Sequence, residues 1–195
     1  MPRVDKNEWT VGELVKDSAD HNEQGRSSEA FLSACEALRA TVRKISGNGD
    51  PRLPELKVVV DENWELIRFL SFPKVDSLYV DLPIVIRDIS LNPRRKYTPK
   101  EIVIHLVSQT LRLGRMPDGF GFTRNAGFEK NGGTLLVPVN LISGILAFSV
   151  VHPVNGSESV PDKYWISISD FKMFISELWG RIDLAERIRK IDIER

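Results

Sequence analysis

Apolar positions recur with helical spacing in three stretches. Phe31, Cys35, Leu38, Val42 and Ile45 follow one another at steps of four and three, which lays one stripe along a helix from Ser27 or Ser28 to about Ile45. Ile102, Val103, Leu106, Val107, Leu111 and Leu113 share a wide arc of a helix over residues 98–113, with Glu101, His105, Ser108 and Arg112 on the far side. Phe171, Phe174, Ile175, Leu178, Trp179 and Ile182 predict a long C-terminal helix that starts at Ser169 and runs to about residue 190. The helix starts and stops are punctuated. Thr10 with Glu13, and Thr98 with Glu101, form capping boxes, and Pro99 takes the first helical position of the second. Gly47 and Gly114 supply left-handed residues for termination. The helix opening at Thr10 runs to about His21, and the short loop after it predicts a helical hairpin with residues 27–45.

Period-two alternation is confined to shorter runs. Leu78, Val80 and Leu82 fall on one face of a strand over residues 75–82, and further strands are predicted at 56–60, 84–86 and 164–168. Residues 61–70 predict a short helix capped by Asp61. Residues 134–154 contain no Asp, Glu, Lys or Arg. They predict two buried strands, 134–142 and 145–152, folded at Ser143 and Gly144. A membrane span is the alternative, set aside because Pro138, Asn140, Ser143, Gly144 and Ser149 interrupt the run and no basic cluster flanks it. Residues 116–133, dense in glycine and phenylalanine, read as loop and tight bends. The fold class is α+β: an N-terminal helical hairpin over residues 1–47, then a mainly antiparallel sheet with packed central and C-terminal helices over residues 55–195. Four breakers between Gly47 and Pro54 separate the two parts, which are two domains or one continuous one.

Composition narrows the classes. Lys+Arg and Asp+Glu are equal at 27 each, so no global field draws a polyanion or a lipid surface. Cys35 is the single cysteine, which excludes an internal disulfide and a cysteine-based zinc site. No apolar segment near Met1 has the form of a signal peptide, so the expected compartment is the cytoplasm, with no membrane association. Charge is uneven locally, with nine basic residues against four acidic ones between Arg87 and Lys130. Arg94, Arg95, Lys96 and Arg112 within it are candidate contacts for an acidic protein or a polyanion.

The helical hairpin resembles those of tetratricopeptide repeats and HEPN-type domains. No second copy follows at a fixed period and the arginine-to-histidine signature of HEPN ribonucleases is absent, so neither family lends a function. Residues 78–83, Leu-Tyr-Val-Asp-Leu-Pro, resemble the second ribonucleoprotein strand of RNA-recognition motifs, and residues 118–122, Asp-Gly-Phe-Gly-Phe, resemble the core of the first. The resemblance implies that Tyr79, Phe120 and Phe122 stack on bases. Asp118 stands where that family has Lys or Arg, and Thr123 and Asn125 replace its apolar and aromatic residues.

Catalytic signals are sparse. Glu101 and His105, one helical turn apart and followed by the 117–133 loop, are the candidate centre of an enzyme. No phosphate-binding loop, nucleophile elbow or metalloprotease motif occurs, and no cofactor or metal is expected. The expected function is a non-catalytic binding or protein-interaction module, with the enzyme and the RNA binder as alternatives. Leu184, Ile188 and Ile191, on a charged helical tail, are a candidate homodimer contact through the C-terminal helix.

Overall fold

The computed structural model describes residues 9–47, 53–72, 84–85, 96–168 and 171–193. Among these the chain is an α+β fold dominated by helices: seven α-helices, one three-stranded sheet and two two-stranded ones. Three of the four strand pairings are antiparallel.

The N-terminal helical pair forms where expected, as α1 (Val11–Glu23) and α2 (Ser27–Ser46). The Thr10 hydroxyl accepts the Glu13 amide at 3.1 Å, and the Glu13 carboxylate accepts the Thr10 amide at 2.7 Å. Both bonds satisfy donors that a helix start leaves unpaired. α2 ends at Gly47, where φ is +63°. Phe31, Cys35, Leu38 and Val42 are buried, while Ile45 at the end of the stripe is exposed. Ser18, fully buried, donates to the Ala30 carbonyl at 2.7 Å, so the close approach of the two helices leaves that hydroxyl paired.

The strand expected at residues 56–60 is instead part of α3 (Leu53–Glu62). Leu56, Val59 and Val60 are buried and Val58 faces solvent. That is i, i+3, i+4 spacing, and burial along it overrides the strand preference of three successive valines. Asp61 caps nothing; it lies within α3 and pairs with Lys100 at 3.0 Å. α4 (Trp64–Ser71) follows and buries Trp64, Leu66, Ile67, Phe69 and Leu70. β1 (Ile84–Val85) pairs with β2 (Lys96–Tyr97). The strand expected over 75–82 and most of the linker expected over 47–54 lie outside the described residues.

α5 (Pro99–Leu113) carries its capping box and ends at Gly114, with φ +61°. Residues 116–133 hold two strands where a loop was expected, β3 (Phe120–Thr123) and β4 (Glu129–Asn131). β5 (Thr134–Pro138) lies between them, parallel to β3 and antiparallel to β4. Asn131 faces Thr134, so Gly132 and Gly133 make a two-residue hairpin turn, with φ +58° at Gly132.

Two larger corrections concern the second half. The second strand expected in the apolar run, and the turn before it, are α6 (Asn140–Val151), a helix buried on almost every side. An apolar run without polar punctuation carries no period, so it reads equally as strand or buried helix. Gly144 is a crossing point and not a turn: a Cβ there would lie 2.1 Å from Ser71 Oγ and 2.6 Å from the Ser71 backbone. α4 packs against α6 through this contact, and α2 crosses α6 elsewhere along its length. No helix of the described residues is long and apolar enough to cross a membrane.

The helix expected from Ser169 is likewise replaced. β6 (Trp165–Ile168) pairs antiparallel with β7 (Phe171–Phe174), a 3-10 turn covers Ile175–Glu177, and α7 (Ile182–Ile193) begins only after Gly180. Gly180 has φ +71°, and a Cβ on it would lie 2.8 Å from the Gly156 Cα, so the chain there is a tight left-handed passage. Leu178 and Trp179 are buried as expected, but Phe171 and Phe174 face solvent. α7 packs on its own chain: Ala185 and Ile188 are buried, and the helix rests on α4. Ile188 is thereby covered by its own chain, and of the three residues considered for a dimer contact only Ile191 is exposed.

Candidate functional site

The residues singled out from the sequence do not converge on one centre. Glu101 is the cap of α5; its carboxylate accepts from the Thr98 amide at 2.9 Å and the Thr98 hydroxyl at 3.2 Å. His105, one turn on, sits with its ring centroid 6.2 Å from that of Phe120. Burial, aided by the charge of Arg112, holds its pKa below the ordinary imidazole value. Arg112 itself donates to the Gln109 side chain at 3.0 and 2.5 Å. Phe120 is buried, and Phe122 meets Phe31 edge-on at 5.6 Å. Both rings pack inside the chain. Tyr79, Arg94 and Arg95 lie outside the described residues, and Lys96 is placed as the β2 partner of Val85. Within the basic segment Lys100 pairs with Asp61, and Arg115 holds Asp118 in two bonds of 2.8 and 3.1 Å. The Arg115 bonds and charge lower the Asp118 pKa.

A second polar cluster has the composition of a hydrolase triad without its order. Ser33 Oγ donates to Asp17 Oδ2 at 2.5 Å, and His21 Nε2 lies 3.5 Å from the same oxygen. The carboxylate stands between hydroxyl and imidazole, so the histidine is not hydrogen-bonded to the hydroxyl in the triad order, and the Ser33 side chain is fully buried. Among the described residues no group of three or more His, Cys, Asp or Glu is arranged to hold a metal ion.

A groove with an outward main-chain edge lies beside β6. Ile175 donates to the Tyr164 carbonyl at 3.0 Å, and Trp165 faces Phe174, Ile166 faces Met173 and Ser167 faces Lys172 across the ladder. In an antiparallel pair hydrogen-bonded and non-hydrogen-bonded positions alternate. The Tyr164 carbonyl and the backbone groups of Ile166 therefore point at β7, the Tyr164 amide donates to the Pro161 carbonyl at 3.3 Å, and Trp165 and Ser167 point their backbone groups outward. No backbone hydrogen bond to Trp165 or Ser167 comes from the described residues beyond this pair. A cavity of about 240 Å³ is lined by Tyr164, Trp165, Ile166 and Ser167 of this segment. The C-terminal end of α1 (Ala19, Asn22, Glu23) and the start of α6 (Asn140, Ser143, Leu146) form its other walls.

The side chains divide by face. Tyr164 and Ile166 are buried, whereas Trp165 is 46% and Phe174 50% exposed. Lys172 Nζ sits 3.5 Å above the Trp165 ring centroid. Tyr164 bolts the strand to α1, its hydroxyl donating to Asp20 Oδ1 at 2.7 Å while Lys16 donates to Asp20 Oδ2 at 2.9 Å. Burial alone would raise the Asp20 pKa, but the bonds from Tyr164 and Lys16 and the nearby lysine charges outweigh it and lower the value. Burial and the Asp20 bond raise that of Tyr164. The groove thus has a fixed wall, outward main-chain groups and one exposed ring, Trp165, with Phe174 exposed beside it on β7. Alternation over residues 164–168 was readable; the partner walls, more than a hundred residues away in α1 and within the misread α6, were not.

A family model described as Rv1289 matches residues 10–194, and the chain belongs to that family. Its relatives include the uncharacterized proteins Rv1289 and MT1327 of Mycobacterium tuberculosis and Mb1320 of Mycobacterium bovis. Each is 25% identical over 202 residues, covering 94% of this chain and 89% of the relative. No solved structure matches the chain.

Proposed function

We propose that this member of the Rv1289 family is a non-catalytic binding module whose groove beside β6 takes an extended segment of another polypeptide. The outward backbone groups of Trp165 and Ser167, facing a cavity instead of a neighbouring strand, carry the reading. An incoming strand gains main-chain bonds along such an edge, and side-chain recesses beside it confer selectivity. Trp165 and Phe174 add exposed aromatic area of the kind that anchors interfaces. The alternative centre at Glu101 and His105 draws less support, since the Glu101 carboxylate is engaged in its own helix cap.

The test is to pan a random dodecapeptide display library on the wild-type protein and on Ser167→Pro. Proline removes an outward N–H that β7 does not use, so the fold should persist by circular dichroism. Peptides selected on the wild type should bind Ser167→Pro about tenfold more weakly, the effect of one lost main-chain bond plus the ring's bulk. Failure to select any peptide, or equal binding by a folded Ser167→Pro, would overturn the proposal.

A further inference from the structure

Resting on that reading, we infer that the bound segment presents a Lys or Arg side chain to the α1 end of the groove, against Glu23. Among the described side chains lining the cavity, Glu23 is the one carboxylate, and none is basic. It is also the last residue of α1. A helix C-terminus carries a partial negative charge, so a carboxylate there is electrostatically unfavourable until a cation arrives. His21 is the one basic residue in the last turn, and its imidazole is directed at Asp17.

Among the described residues, nearby cations are engaged elsewhere. Lys16 is held by Asp20, Lys163 lies over the Tyr164 ring at 5.0 Å, and Lys172 covers Trp165. No ion pair from the described residues reaches Glu23. Asn22, beside Glu23, and Asn140 and Ser143 on the α6 wall provide neutral oxygen acceptors in the same cavity that suit an ammonium or guanidinium donor. An acidic segment would meet the opposite: a carboxylate, a helix C-terminus, and lysines committed to other partners. The groove's charge therefore complements a basic side chain on an extended chain.

The selected dodecapeptides test this directly. Those from the wild type should share Lys or Arg at one fixed position, and those from Glu23→Lys should carry Asp or Glu there. A synthetic wild-type-selected peptide with that Lys replaced by norleucine should bind about three- to fivefold more weakly, the range of a partly exposed ion pair. Glu23→Gln should erase the difference, and added salt should shrink it. If peptides are selected and still lose affinity on Ser167→Pro, but show no basic preference or an acidic one, the inference about Glu23 fails and the groove proposal stands. If no peptide is selected at all, both fail.

Discussion

α6 and the β6–β7 hairpin are both rich in large apolar side chains, yet they meet water in opposite ways. Ile145, Ala147, Phe148, Val150 and Val151 of α6 are all at most 1% exposed, while Trp165, Phe171 and Phe174 of the hairpin are 36–50% exposed. The helix is hydrophobic all round because other elements surround it, so its sequence has no polar face to betray its period. The hairpin turns Tyr164 and Ile166 inward and leaves Trp165 outward, a division that is wasteful for stability. Apolar content alone therefore does not locate the core. Which side chains are covered by tertiary neighbours does, and the exposed rings beside the outer edge of β6 are what the proposed binding surface rests on.

That contrast predicts unequal responses to substitution. The largest effect is expected at Gly144, where the Ser71 backbone leaves no room for a methyl group. Gly144→Ala should cost about 2–3 kcal/mol in denaturant unfolding, because a backbone contact cannot retreat as a flexible side chain would. A variant as stable as wild type would show that α4 and α6 do not meet there.

Acid should have a smaller effect, through two half-buried histidines. Burial lowers the pKa of both His105, where Arg112 adds to it, and His152. His152 Nδ1 also accepts the Val154 amide at 3.3 Å, a bond that a proton on that nitrogen would abolish. Groups whose folded pKa is depressed bind more protons when unfolded, so their contribution is full above the ordinary value of 6.5 and falls as pH drops below it. Unfolding measured at pH 7.5 and 5.5 should show lower stability at the acid value, with a shallower decline in His152→Asn. A flat profile across that interval would count against both burial effects.

At the low end, Phe174→Ala should change stability by no more than about 0.5 kcal/mol, since the ring is half in solvent. It should nonetheless weaken peptide binding severalfold, as expected of an interface aromatic. A loss of stability comparable to that of Gly144→Ala would mean that the ring is covered in solution.

Legibility followed the same division. Thr10 and Thr98, with Glu13 and Glu101 three residues on, marked two helix starts correctly because a capping box is local chemistry. Gly47 and Gly114 marked two ends for the same reason. Phe171, Phe174, Ile175 and Leu178 misled because their spacing matches a helix by coincidence; pairing with β6 and the left-handed passage at Gly180 decided otherwise. The three successive valines at 58–60 misled in the reverse direction. Of the groove, only the alternation around Trp165 could be read locally. Its other walls, Asn22 and Glu23 at one end of α1 and Asn140 and Ser143 at the start of α6, come together through packing that no local pattern encodes.

The outer edge of β6 is the proposed docking line for a partner's main chain. Amide hydrogen exchange followed residue by residue, with and without a selected dodecapeptide, tests it most directly. The Trp165 and Ser167 amides point away from β7 and should exchange quickly in the unbound protein, then become strongly protected on binding. Ile166, already paired with Met173, should change little. Binding that leaves the Trp165 and Ser167 amides as fast as before would contradict strand addition at this edge.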